Sequence, residues 1–202
     1  MTDDSTATLE SALTAEVARM YEEVASRPDG DYHFHTGRHA ADLYGYRALD
    51  LDAMPQAAVA AFAGVGCPIE RARFEPGEFV VDLGSGAGLD SLLAARAVGP
   101  TGRVVGIELN PRMIALAETN RNALGWTHVE FRQGRIEEPP VEDGFADAVI
   151  SNGVINLSFR KAKVLREAWR MLKPGGRVSI VDVVSARPLS QSIVNDPKLW
   201  AS

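Results

Sequence analysis

The sequence predicts an α/β fold built on a parallel sheet, and three observations carry that prediction. Short β-branched runs alternate with helical ones from Glu78 onward, five such runs can be counted, and a glycine-rich bend leads straight from the first run into a helix. The strands are expected at 79–83, 103–109, 129–132, 146–151 and 177–184, with helices between them at 89–98, 111–124 and 160–172. Asn110 followed by Pro111 supplies a cap and a first-turn proline, and Gly125 closes the same helix. The last helix places Val164, Leu165, Ala168, Met171 and Leu172 on one face and stops at Lys173-Pro174-Gly175-Gly176. Right-handed crossovers then require helices on both faces of the sheet.

Ahead of this alternation the pattern is helical. Leu9, Leu13, Val17, Met20 and Val24 recur every three to four residues, so an amphipathic helix is expected over 5–26, and its apolar stripe needs a surface to cover. A loop with Pro28, Asp29 and Gly30 precedes the run Tyr32-His33-Phe34-His35-Thr36-Gly37. Two short helical patterns follow, one through Leu49 and one over 55–62, and Gly64 and Gly66 end them. The boundary between the helical part, 1–70, and the β/α core, 71–202, falls near 66–77 within a single domain.

At 202 residues and 46% apolar content the chain has enough material for one full core. A net charge of −6 with scattered basic residues offers no footprint for nucleic acid or an anionic membrane, which points to a small-molecule substrate. The start is polar and acidic, and no apolar run nears the roughly 18 residues of a spanning helix, so a cytoplasmic location is expected. The single cysteine, Cys67, excludes an internal disulfide and a multi-cysteine zinc site.

The chemistry sits in Val80-Val81-Asp82-Leu83-Gly84-Ser85-Gly86-Ala87-Gly88. Its glycines let a ligand approach the backbone at the carboxyl end of the first strand. The spacing, G-x-G-x-G, differs from that of dinucleotide folds, which leaves an NAD-dependent oxidoreductase as a lesser alternative. Asp82, two positions before the first glycine, suits a cationic amino group, whereas a pyrophosphate prefers bare helix amides. Twenty residues after Gly88, Glu108 ends the second strand, where a carboxylate can accept from both hydroxyls of a ribose.

Taken with Val104 to Glu108 and Leu172-Lys173-Pro174-Gly175-Gly176-Arg177, this segment resembles the successive motifs of class I S-adenosylmethionine-dependent methyltransferases over about 110 residues. Within that superfamily it is most similar to the arsenite methyltransferase branch, through Asp82 to Asp90, Val98-Gly99-Pro100-Thr101-Gly102, Val129-Glu130-Phe131-Arg132, Ile150 to Ser158 and Phe62-Ala63-Gly64. The resemblance implies a Rossmann-like sheet of order 3-2-1-4-5 under an N-terminal helical substrate lid, with S-adenosylmethionine as cofactor and S-adenosylhomocysteine as product. The cofactor residues it implies are Asp82, Gly84, Ser85, Gly86, Gly88, Asp90, Glu108, Leu109, Asn110, Met113, Ile136, Glu137, Asn152, Gly153 and Val154. Of these, Met113 would line the adenine, the Ile136 and Glu137 backbone would reach its edge, and Asn152 to Val154 would face the methionine part.

The chain departs from that branch in two ways. Arsenic(III) is a soft ion that calls for thiolates, yet Gly153 stands where the branch has cysteine and none precedes Cys67, so arsenite is not the expected acceptor. The superfamily also ends in two further strands. Here only 185–202 follow the fifth, and Pro188, Asn195 and Pro197 disfavour a hairpin. Strands six and seven are therefore expected to be missing, either because the chain is truncated, the favoured reading, or because a second subunit in a homodimer supplies the edge, which Leu189, Ile193, Leu199 and Trp200 could cover in part. Methyl transfer needs positioning more than acid–base work. His35, in the aromatic run, and Asn156, after the fourth strand, are the catalytic candidates. His33, His35 and His39 lack a carboxylate at metal-ligand spacing, so no metal is expected. Asp182 interrupts the apolar fifth strand and is a further candidate to face the site. The alternative to an enzyme is a degenerate core that binds cofactor, or serves only as an interaction partner.

Overall fold

The computed structural model describes residues 3–28, 30–188 and 196. A parallel sheet in the order β3-β2-β1-β4-β5 forms its centre. The strands are Phe79–Leu83 (β1), Arg103–Glu108 (β2), Val129–Gln133 (β3), Ala146–Asn152 (β4) and Leu172–Val181 (β5). This is the Rossmann-like arrangement expected from the sequence. β1 and β4 lie in the middle and are covered on both faces, which is why Val80, Val81, Leu83, Ala148, Val149 and Ile150 form nearly unbroken apolar runs.

Helices Leu89–Val98 (α6) and Pro111–Leu124 (α7) cover one face, where Ala94, Val98 and Ala117 meet Val80, Val104, Phe131 and Ile150. Lys161–Met171 (α8) covers the other, with Val164, Ala168 and Met171 against Val81, Val105, Ile107 and Val149. The α7 boundaries follow their sequence signals: the Asn110 side chain accepts from the Arg112 and Met113 N–H groups, and Gly125 closes the helix at φ +67°.

Among the described residues the N-terminal part forms five helices: Asp3–Ser26 (α1), Gly37–Leu43 (α2), Ala48–Asp52 (α3), Gln56–Ala60 (α4) and Pro68–Ala72 (α5). Ala40, Ala41, Leu51, Ala58 and Phe62 pack against Leu89, Leu92 and Leu93 of α6, so the helical part and the sheet layer share one core. Val24 of α1 meets Met113 of α7 in a separate cluster.

Several boundaries differ from expectation. The helical pattern through Leu49 divides into α2 and α3 because Gly45, at φ +89°, turns the chain between them. Helix α5 was not anticipated. Strand β5 begins at Leu172 rather than at residue 177: Ala146 pairs with Leu172 but Ala148 with Arg177, so Lys173 to Gly176, which follow the end of α8, form an irregular opening to the strand. Leu165 is 51% exposed, since at 100° per residue it lies off the stripe that buries Val164, Ala168 and Met171. Among the described residues no strand follows β5, and Val178 and Ile180 on this edge strand are exposed. Leu189, Ile193, Leu199 and Trp200 lie outside the described residues. No described helix is long and apolar enough to cross a membrane.

Candidate functional site

The carboxyl ends of β1, β2 and β4 open on a cavity with about 1070 Å³ of empty space, counting its opening to solvent. The glycine bend forms its floor. Gly84 and Ser85 donate N–H bonds to the Ile107 carbonyl at 2.8 and 3.0 Å, which lays the bend beside β2. Gly84 adopts φ +75°, and a Cβ there would run into the Val154 side chain, so only glycine fits. Gly88, at φ +90°, starts α6 and packs under Phe131.

Glu108 is braced from three sides: Gly86, Leu109 and Asn110 donate backbone N–H bonds to its carboxylate at 2.9, 2.8 and 2.8 Å. Burial raises its pKa and these bonds oppose the rise, so the carboxylate stands oriented at the cavity wall with lone pairs left for a diol.

Asp82 and Asp90 form the acidic end. Asp82 is 2% exposed and accepts from Ser91 Oγ at 2.6 Å; Asp90 is 7% exposed and accepts from Tyr46 Oη at 2.5 Å and Asn152 Nδ2 at 2.9 Å. Burial pushes both carboxyls up, and Asp90 raises Asp82 further by like-charge repulsion. Arg135, the cationic residue in the cavity lining, is already engaged by Glu10 and Glu137. An unneutralised pair of buried acids at one end of a cavity fits a cationic ligand group.

Of the residues expected to hold cofactor, Asp82, Gly84, Ser85, Gly86, Asp90, Glu108, Leu109, Met113, Ile136, Glu137, Asn152 and Val154 line this cavity. Gly88, Asn110 and Gly153 stand behind it, respectively starting α6, capping α7, and donating to the Val181 carbonyl at φ +71°. The Glu137 side chain turns to Ser158, which donates at 2.5 Å.

His35 and Asn156 are not in the cavity wall. The exposed His35 ring, ahead of α2, sits edge-on to His39 within that helix at 5.5 Å. Asn156 occupies the 3-10 turn Ile155–Leu157, which turns Leu157 to the cavity while the Asn156 N–H donates to Asp182. Asp182 spends its carboxylate on the Ile155, Asn156 and Val183 N–H groups, so it braces this turn from behind. Among the described residues no group of three or more histidines, cysteines and carboxylates is placed to hold a metal ion.

A helical lid is expected from the sequence, but the residues by which it meets the cavity are not. Thr14, Val17 and Tyr21 of α1 face the cavity together, a spacing of three and four that was legible but interleaved with the apolar stripe. Burial pushes the Tyr21 phenol up to about 12, with the Glu108 charge adding to the rise.

A parallel sheet of this order, with an acid-flanked glycine bend and a ribose-competent carboxylate on the neighbouring strand, defines the class of nucleoside-binding methyltransferase cores. Comparison with known proteins agrees. Residues 74–202 match the family model described as a methyltransferase domain, and the chain belongs to that family. It is 45% identical over 157 residues to an arsenite methyltransferase of Halobacterium salinarum, covering 76% of this chain and 40% of that protein. To the human arsenite methyltransferase it is 34% identical, covering 60% of this chain and 35% of that protein. The crystal structure of an arsenic(III) S-adenosylmethionine methyltransferase from Chlamydomonas reinhardtii superposes with a TM-score of 0.68 at 40% identity, over 75% of this chain and 53% of that one. The chain thus spans less than half the length of these curated relatives. The family match, together with the likeness to an S-adenosylmethionine methyltransferase structure, gives S-adenosylmethionine as the cofactor. The cavity fits it: the acids suit its ammonium group, Glu108 its ribose, and Ser85 Oγ is a buried hydroxyl with no partner among the described residues.

Proposed function

We propose that this chain transfers the methyl group of S-adenosylmethionine to a small-molecule acceptor. The observation that carries the reading is the cavity floor, where a glycine bend between Asp82 and Asp90 faces a Glu108 already oriented by three N–H bonds. Asp82 and Asp90 would hold the ammonium end, Glu108 the two ribose hydroxyls, and Leu109 and Met113 the base. When bound, the cofactor supplies an electrophilic methyl group on a sulfonium.

The protein's part is to place an acceptor in line with that methyl and keep water away. Phe62, Ala63, Val154 and Leu157 offer an apolar approach, and Val17 and Tyr21 close the roof. His35 and Asn156 carry no step in this reading, because neither reaches the cavity.

A second reading, favoured by the relatives' names, takes arsenic(III) as acceptor. Cys67 is the chain's one thiol, and burial raises its pKa, so the metalloid would have to arrive with thiol ligands of its own. Titration calorimetry with S-adenosylhomocysteine tests the cofactor reading: the wild type should bind, and Asp82→Ala or Glu108→Ala should weaken binding by about 1–3 kcal/mol. Absence of binding removes the assignment. A methyl-transfer assay across a metabolite pool, with arsenite as one acceptor, then separates the two acceptor readings from a chain that binds cofactor without turning it over.

A further inference from the structure

Tyr46 takes no part in the cavity wall, yet it is the residue most closely tied to the cavity's acidic end. It follows α2, and its side chain is 6% exposed. Its hydroxyl donates to Asp90 Oδ1 at 2.5 Å and accepts from Asn152 Nδ2 at 3.0 Å, while the same amide donates to Asp90 Oδ2 at 2.9 Å. The three side chains close a buried ring of hydrogen bonds. Its orientation is set from outside, because Asn152 Oδ1 accepts from the Val65 N–H at 2.9 Å and Nδ2 donates to the Gly66 carbonyl at 2.8 Å; a flipped amide would lose both bonds. The Tyr46 ring itself is seated edge-on against Phe62 at 5.1 Å.

We propose that Tyr46 is a positioning residue for cofactor recognition: through Asp90 and Asn152 its hydroxyl holds the Asp90 carboxylate turned to the cationic end of the ligand. The inference rests on the reading that this end of the cavity takes the cofactor's ammonium group.

The titratable groups facing Asp90 are Tyr46 from the helical part, Asp82 from β1 and Cys67 ahead of α5; Glu108 on β2 acts on Asp82. None is cationic. Desolvation pushes the Asp90 proton affinity up, and the bonds from Tyr46 and Asn152 oppose it. Tyr46→Phe keeps the ring and its packing on Phe62 but leaves Asp90 Oδ1 with no donor, while the two Asn152 amide protons keep Asp90 Oδ2 and the Gly66 carbonyl as acceptors. A buried carboxylate deprived of a donor takes up a proton more readily, and the neutral acid attracts an ammonium group less.

The test is S-adenosylhomocysteine affinity by calorimetry for wild type and Tyr46→Phe across about pH 6 to 9. At neutral pH the variant should bind about 10-fold more weakly. The deficit should shrink as pH rises, so that the rise of affinity with pH is displaced to higher pH. The ligand's own ammonium group titrates equally in both arms and cancels. A residue that only packs would lower the melting temperature and leave the two affinity profiles parallel, so parallel or coincident profiles overturn the proposal.

Should Tyr46→Phe not fold, Asp90→Asn with Tyr46 intact gives the second reading. Its affinity should lose the pH-dependent component attributed to Asp90, and a profile parallel to wild type overturns the proposal. Wild-type protein that binds no S-adenosylhomocysteine at any pH sinks the cofactor reading as a whole, whereas wild-type binding with parallel profiles sinks the role of Tyr46 alone.

Discussion

Glu10 ties the roof of the cavity to its rim. One carboxylate oxygen lies 3.4 Å from Arg135 Nη2, and the other lies 2.9 and 3.1 Å from Arg160 Nη2 and Nε, so α1 is held to the loop after β3 and to the start of α8. The Glu10 side chain is 17% exposed, but its partners are 38% and 56% exposed, which puts each pair in the range of about 0.2–1 kcal/mol, with the two-point Arg160 contact at the upper end. Together they contribute about 1–2 kcal/mol to the closed position of α1. Leu13 and Val24, both buried, stay seated when Glu10 is cut back, so Glu10→Ala should loosen the helix without unfolding it. A loss of that size should speed release of bound S-adenosylhomocysteine by about 5- to 30-fold. The assay is a chase of labelled ligand by unlabelled ligand. Raising salt from about 50 to 500 mM should accelerate release from the wild type and leave the Glu10→Ala rate nearly unchanged, because the screened pairs are gone. Equal release rates at low salt, or equal salt dependence in the two proteins, would refute the ionic tie.

Other expectations follow from the same geometry. Gly84→Ala forces a side chain into φ +75° and into Val154, so thermal melting should show a loss of at least about 1–2 kcal/mol and calorimetry should show no cofactor binding. Asp82 has a higher pKa folded than unfolded, so its contribution to stability is greatest below the ordinary carboxylate pKa near 4 and falls as pH climbs toward the raised folded value. Ligand-free Asp82→Asn should therefore melt with a weaker pH dependence and, above neutral pH, at a higher temperature than wild type, while its ligand affinity falls. A melting curve for the variant that tracks wild type across pH counts against a strained acid there. Met171→Ala empties a fully buried site under the sheet and should cost about 2–5 kcal/mol by chemical denaturation, with cofactor affinity of the folded fraction unchanged.

Much of the fold was legible because its signals are local. β1 and the two helices beside the glycine bend match their expected bounds, since each is marked by a short apolar run, a capped proline or a glycine that breaks the pattern. Where two periodicities overlap, the reading slipped. The Lys173 to Gly176 run has the composition of a helix stop and yet lies inside β5, because Leu172 before it pairs with Ala146 and Arg177 after it pairs with Ala148 of β4. Leu165 has the chemistry of a core residue and lies just off the core-facing stripe.

The sequence by itself determined the sheet and its floor: alternating apolar runs, the acid-flanked glycines and a strand-end glutamate are dictated by backbone and ligand chemistry over a few residues. Only the tertiary structure decided what surrounds that floor. Tyr46 meets Asp90 across 44 positions and Asn152 across 106, Glu10 meets Arg160 across 150, and His35 is left outside the wall. No local periodicity encodes such closures, because they exist only once packing of the helical part against α6 and α7 has brought distant segments within bonding distance.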